Sequence, residues 1–143
     1  MKNATVETYP RCFGCGQENP IGLRLSPQVD GDAVVASFVP KDDHQGWPGI
    51  VHGGIIASLL YEILENFAHR RGIVAMMRRM ETRLRRPAKT GVEITARSWL
   101  TERSDREMHV SATLTSADGV LIAEGDAALV ILSQAHKARL GIG

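Results

Sequence analysis

The sequence predicts an α+β fold in which a curved antiparallel sheet buries one long helix. Three observations carry this expectation. Apolar residues recur at three- and four-residue spacing over residues 53–71, four β-rich segments divided by turn signals occupy 77–132, and a shorter β-rich pair precedes the helix. A helix that is apolar over most of its circumference has to be enclosed, and a run of strands can enclose it.

Taken in order, residues 1–22 form a turn-rich segment containing Cys12-Phe13-Gly14-Cys15-Gly16 and Asn19-Pro20-Ile21-Gly22. Leu23-Arg24-Leu25 and residues 33–39 read as two strands. Val29-Asp30-Gly31-Asp32 joins them, and its Asp-Gly step is a strong hairpin signal. Asp42, Asp43, Gly46, Pro48 and Gly49 then break either regular period, so 40–54 is a polar loop. Ile56, Leu59, Leu60, Ile63, Leu64 and Phe67 mark a helix of about five turns at ~3.6 residues each. Gly72 is its expected stop, and His69, Arg70 and Arg71 suit the negative end of its dipole. Strands follow at 77–86, 92–101, 107–115 and 120–132, with turn signals at 87–91, Ser104-Asp105 and 116–119. Three short links between four strands predict a four-stranded antiparallel meander.

With 143 residues, one domain spanning 1–143 is expected. Lys and Arg total 17 against 16 Asp and Glu, so net charge gives no reason to expect nucleic acid or an anionic membrane as partner. The longest apolar stretch is interrupted by His52, Tyr61 and Glu62, short of the ~20 residues a membrane span needs. Residues 1–7 lack the apolar core of a secretory signal, and a cytoplasmic location is expected.

Cys12 and Cys15 are the only cysteines, and a reducing compartment argues against a structural disulfide. A zinc site needs four ligands, so this pair would borrow two, such as His44 and His52, or meet the same pair of a second subunit. The other reading is a tight turn flanked by Gly14 and Gly16, and it is the one adopted: no metal is expected.

The run His44-Gln45-Gly46-Trp47-Pro48-Gly49-Ile50-Val51-His52-Gly53-Gly54 leads directly into the helix. Glycines there let a ligand approach the backbone, and the first-turn N–H groups offer donors to an oxyanion or phosphate. An ordinary glycine-rich helix entry is the alternative. Arg78, Arg79, Arg83, Arg85 and Arg86 cluster in one strand. Alternation sends Arg79, Arg83 and Arg85 to one face and Arg78 and Arg86 to the other, where they either bind phosphates or form a solvated strand face. Met76, Met77 and Met80 line a soft pocket or fill core. Nucleic-acid binding is disfavoured because no aromatic interleaves the arginines.

These pieces together resemble the hotdog-fold acyl-CoA thioesterases, the phenylacetate-type and 4-hydroxybenzoyl-CoA-thioesterase-like superfamily. The likeness rests on the Cys12–Gly16 and Asn19–Leu23 motifs, residues 44–54 with the following helix, Arg86-Pro87, Gly91, and the 118–125 hairpin. It implies a sheet wrapped around a central helix, a homodimer or homotetramer, and an active site between subunits. It also implies that the Gly53 N–H polarises a thioester carbonyl beside His52, with Gln45 assisting. His44, Gly46, Gly54, Arg85 and Arg86 are then expected to bind substrate. The family's carboxylate nine residues after the histidine is replaced by Tyr61, whose pKa near 10 makes a poor base. Glu62, rotated by about 100°, and Glu65, one turn on, are the candidate replacements, Glu65 facing the same way as Tyr61. Both also fit a solvated face paired with His69 or Arg70. The resemblance implies hydrolysis of an acyl thioester on coenzyme A or a carrier protein, without a cofactor and without a membrane partner. The alternative is a non-catalytic acyl-thioester binding protein that lost the carboxylate. Hydration of an acyl chain is disfavoured, because neither Asp42 nor Asp43 has the required spacing to a histidine.

Overall fold

The structure is a computed structural model that describes residues 9–142. Its elements are β1 (Gln28–Asp30), β2 (Ala33–Phe38), α1 (Gly53–His69), β3 (Ala75–Leu84), β4 (Ile94–Arg103), β5 (Glu107–Ser116), β6 (Leu121–Ile131) and α2 (Gln134–Leu140). Six strands form one antiparallel sheet in the order β1-β2-β4-β5-β6-β3, and α1 packs against β2 through β6. This is the expected α+β hotdog arrangement of a sheet wrapped around a central helix. The expectation about residues 1–7 concerns residues outside those described.

The helix follows the apolar period. Ile56, Leu59, Leu60, Ile63, Leu64 and Phe67 are buried against Val34, Phe38, Ile94, Val110, Leu114 and Leu129 of the sheet. Each such side chain contributes about 1.5–3 kcal/mol by leaving water. Buried Ser98 on β4 donates to the Ile63 carbonyl at 2.8 Å, so its hydroxyl is satisfied inside the core. The helix ends as Gly72 predicts. Gly72 has φ +73°, its N–H donates to the His69 carbonyl, and Ile73 N–H reaches back to the Ala68 carbonyl, which is a Schellman closure. Among the described residues no helix is long and apolar enough to cross a membrane.

Two expectations are corrected, and one further element is added. Leu23-Arg24-Leu25 is not a strand: Leu23 N–H donates to the Phe13 carbonyl, Leu25 N–H to the Gly14 carbonyl, and Arg24 has φ +53°. Their hydrogen bonds therefore go to the N-terminal turn, and the first strand is Gln28–Asp30, closed onto β2 by the Gly31-Asp32 loop. The four-stranded meander is also not formed. Only β4, β5 and β6 meander, because β3 pairs with β6 at the far edge of the sheet. The 85–93 link runs across instead of turning back, held by Val51 N–H to the Ala88 carbonyl and by an Ile50–Lys89 bridge. Pro87, which lacks an N–H, suits a crossing and not a ladder. Finally, α2 was not anticipated, although Ser133 caps it by accepting from His136 N–H and Gly141 ends it at φ +69°.

Candidate active site

Residues before α1 form a closed loop. His44 Nδ1 accepts from Lys41 N–H at 2.9 Å, and its ring lies 5.1 Å from that of Phe38. The Gln45 side-chain oxygen accepts from Gly49 N–H at 3.0 Å, leaving its amide NH2 to donate elsewhere. Gly46 N–H donates to the Ile50 carbonyl, and His52 N–H to the His44 carbonyl, at 2.8 Å each. Gly49 turns the chain at φ +77°, a conformation strained for any residue with a side chain.

At the helix start, four backbone donors need partners. His52 is the N-cap and its Nδ1 accepts from Gly54 N–H at 2.8 Å, which places the ring proton on Nε2. The His52 carbonyl accepts from Ile55 and Ile56 N–H. Gly53 N–H is left without a partner among the described residues. A Cβ added at Gly53 would meet only Leu84, at 3.9 Å, and the residue is exposed, so the backbone here is approachable. It borders a cleft of about 300 Å³ lined by Val51, Ile56, Leu84, Arg86 and Ile122 among others. The positive end of α1 stands behind it, favouring a developing oxyanion.

Tyr61, Glu62 and Glu65 lie together in a different pocket, of about 350 Å³, with Cys12, Cys15 and Asn66. Glu65 Oε1 accepts from Met77 N–H at 2.9 Å, which leaves its second oxygen unengaged. Burial raises the Glu65 carboxyl above the usual range, opposed by that bond. Glu62 is raised by burial and then by the charge of Glu65, while Asn66, donating to it at 3.3 Å, opposes the shift. Neither carboxylate makes an ion pair among the described residues, so the solvated-face reading with His69 or Arg70 is not what the fold builds. Tyr61 is also raised, by burial and then by Glu65 and Glu62, which moves it further from serving as a base. Burial pushes the Cys15 thiol up to about 12.

The structure thus brings Gly53 and Arg86 to one cleft and Tyr61, Glu62 and Glu65 to another. Gly53 and Glu65 are separated along α1 by about 18 Å at ~1.5 Å per residue, too far to act on one carbonyl. Arg85 lines the first cleft but donates to Glu124 at 2.7 Å, and Arg83 donates to Asp126 at 2.7 Å, so both guanidinium groups already have carboxylate partners. Arg86 is exposed beside the cleft. A register shift between Met77 and Arg79 interrupts the expected alternation, and Arg78 pairs with Glu107. His44 and His52 are not gathered with the cysteines. Among the described residues the cluster with metal-ligand spacing is Cys12, Cys15 and Glu62. Sequence reading missed Asn66, although a polar residue on the apolar stripe was the available signal. It also missed Met77, whose role is through its backbone and leaves no sequence signal.

A family model described as the thioesterase superfamily matches residues 48–123, just over half of the chain. No curated protein matches it. A crystallised protein described as a thioesterase superfamily protein is 26% identical, with a TM-score of 0.75 over 80% of this chain; the chain spans 60% of that protein's length. A hypothetical thioesterase from Streptococcus pneumoniae TIGR4, crystallised with coenzyme A, is 14% identical with a TM-score of 0.71, the match covering 77% of this chain and 87% of that one. A variant of the phenylacetic acid degradation protein PaaI from Thermus thermophilus is 22% identical with a TM-score of 0.70, covering 77% and 95%. At their identities the last two speak to the fold alone.

Proposed function

The chain belongs to the thioesterase superfamily, and on that premise we propose that it hydrolyses an acyl thioester carried on coenzyme A or an acyl carrier protein. The observation that carries the reading is the unpartnered Gly53 N–H at the positive end of α1, open to a cleft. In this mechanism the thioester carbonyl oxygen sits on Gly53 N–H, with the Gln45 amide NH2 as second donor. Glu65 takes a proton from water through its free oxygen as the water attacks the carbonyl carbon. The tetrahedral oxyanion is stabilised by the same backbone donor, an effect worth about 10²–10³-fold where a single donor has been removed. Collapse breaks the C–S bond, the thiolate leaves and is protonated, and the products are a carboxylic acid and a free thiol. In this reading Arg86, exposed and lining the cleft, meets a phosphate of the carrier.

Because Gly53 and Glu65 lie ~18 Å apart along α1, this reading takes the two from different subunits. The proposed active unit is therefore a homo-oligomer, a dimer or a tetramer, in which α1 of one protomer supplies the donor and α1 of its partner supplies the base. His52, Gly46 and Gly54 shape the entry through backbone and cap bonds. Thiol release measured across a panel of acyl-CoA thioesters of differing chain length and aromaticity tests the proposal, and turnover with at least one of them is expected. Tyr61, at the position where the resemblance places a carboxylate, favours a second reading: an acyl-thioester binding protein without turnover. Saturable binding of a non-hydrolysable acyl-CoA analogue, with no thiol release from any member of the panel, would establish that reading instead.

A further inference from the structure

We propose that Cys12, Cys15 and Glu62 form a zinc site that fastens the N-terminal turn to the side of α1. The site is independent of whether the protein hydrolyses thioesters. Two thiol sulfurs and one carboxylate oxygen lie within 4.8 Å of one another, and all three residues are half-buried. The turn has the form of a metal knuckle: Cys15 N–H donates to Cys12 Sγ at 3.5 Å, and Gly16 N–H donates to the Cys12 carbonyl at 2.9 Å. Glu62 reaches into this turn so closely that a Cβ at Gly14 would collide with its carboxyl group, so glycine is required there for the carboxylate to enter.

A second observation points to a ligand in the same pocket. Asn66, buried and lining it, donates to Glu62 through Nδ2, yet its Oδ1 is buried with no hydrogen-bond partner. Such an orphaned acceptor is costly, and a water bound to the metal in the fourth position supplies the donor that it lacks. Two thiolates select a soft divalent ion of the zinc class over magnesium or calcium. Binding releases the two thiol protons to solvent, leaving two thiolates and one carboxylate around a dication. Arg70, which borders Cys15 in the adjacent pocket and whose Nε is buried without a partner, offsets the remaining negative charge. The expectation of no metal rested on the want of further ligands near the cysteine pair. The fold supplies one from α1.

The test uses the full chain, stripped with a chelator under reducing conditions and titrated with Co²⁺ and then Zn²⁺. One Co²⁺ per chain is expected, with near-ultraviolet thiolate-to-cobalt charge-transfer bands and intense visible bands of tetrahedral coordination, all displaced by Zn²⁺. Cys12→Ser and Cys15→Ser should each diminish the charge-transfer band. Glu62→Gln should keep both thiolate bonds but weaken Zn²⁺ binding by about tenfold or more, since even outer contacts to a metal cost 10–100-fold. Wild-type protein without the charge-transfer band overturns the proposal, as does a Glu62→Gln variant that binds Zn²⁺ as tightly as wild type. Should the variants fail to fold, thiol-reagent kinetics on wild type decide: protection of both cysteines by Zn²⁺ supports the site, and equal reactivity with and without Zn²⁺ overturns it.

Discussion

At the scale of single residues, the two halves of the proposed chemistry separate cleanly. Gly53 is the first residue of α1, where proline is well tolerated because its missing N–H would be unpaired in any case. The preceding His52, at φ −58° and ψ 136°, already has the extended geometry that a following proline imposes. Gly53→Pro should therefore fold normally and lose about 10²-fold in turnover, the cost of one oxyanion donor. Normal turnover by the folded variant would remove Gly53 N–H from the mechanism. Glu65→Gln should lower kcat by about 10²–10⁴-fold with KM little changed, because a base acts in the transition state. The wild-type rate should fall on the acid side with a midpoint above the usual carboxylate range, since burial raises Glu65, and this limb should vanish in Glu65→Gln. The same shift has an opposite sign for stability. A carboxyl raised on folding binds more protons folded than unfolded, so its contribution is fully present below its unfolded pKa and is lost as pH rises through the folded one. Glu65→Gln should accordingly be slower and yet more resistant to urea at pH 7 than wild type; a variant less stable at pH 7 would contradict this.

At the scale of elements, α1 is the part on which everything else rests. Ile63 is fully buried and its carbonyl takes the Ser98 hydroxyl, so the helix is joined to β4 by packing and by a hydrogen bond at one place. Ile63→Ala should cost about 2–5 kcal/mol in urea unfolding, from lost burial plus the cavity left behind. Gly72 is different in kind. Its φ of +73° closes the helix, and Gly72→Ala should cost about 1 kcal/mol through backbone strain. Equal midpoints for Gly72→Ala and wild type would show that the closure relaxes.

At the scale of the whole molecule, β1 and β3 are the sheet edges, and β3 is ten residues long. An unprotected edge of that length invites pairing with a second copy, so sedimentation at micromolar concentration should show a dimer or larger species. A composite site makes a sharper forecast. Gly53→Pro and Glu65→Gln homodimers each lack one half of every site, whereas a mixed dimer has one intact site. Equal mixing with subunit exchange should recover about a quarter of wild-type activity, since half the dimers are mixed and each holds one good site of two. No recovery after demonstrated exchange would place both groups in one subunit.

Features that depend on neighbours along the chain are legible in the residues themselves. The apolar period of 56–67 and the turn at Gly72 set α1 within two residues, and the Asp30-Gly31 step set the first hairpin, because period and backbone freedom are local properties. The capping of the helix start is local for the same reason: His52 accepts from Gly54 N–H through its ring and from Ile55 and Ile56 N–H through its carbonyl, two to four residues away. Features that depend on residues far apart in sequence emerge only on folding. Whether β3 pairs with β4 or with β6 turns on where the 85–93 link is anchored, and that anchor is the loop before α1. Likewise nothing local tells Glu65 from an ordinary surface carboxylate. Only the folded chain brings Met77 N–H to its oxygen, lays the cysteine turn against Glu62 and leaves Asn66 buried beside Glu62, because desolvation and charge proximity are set by packing and not by spacing.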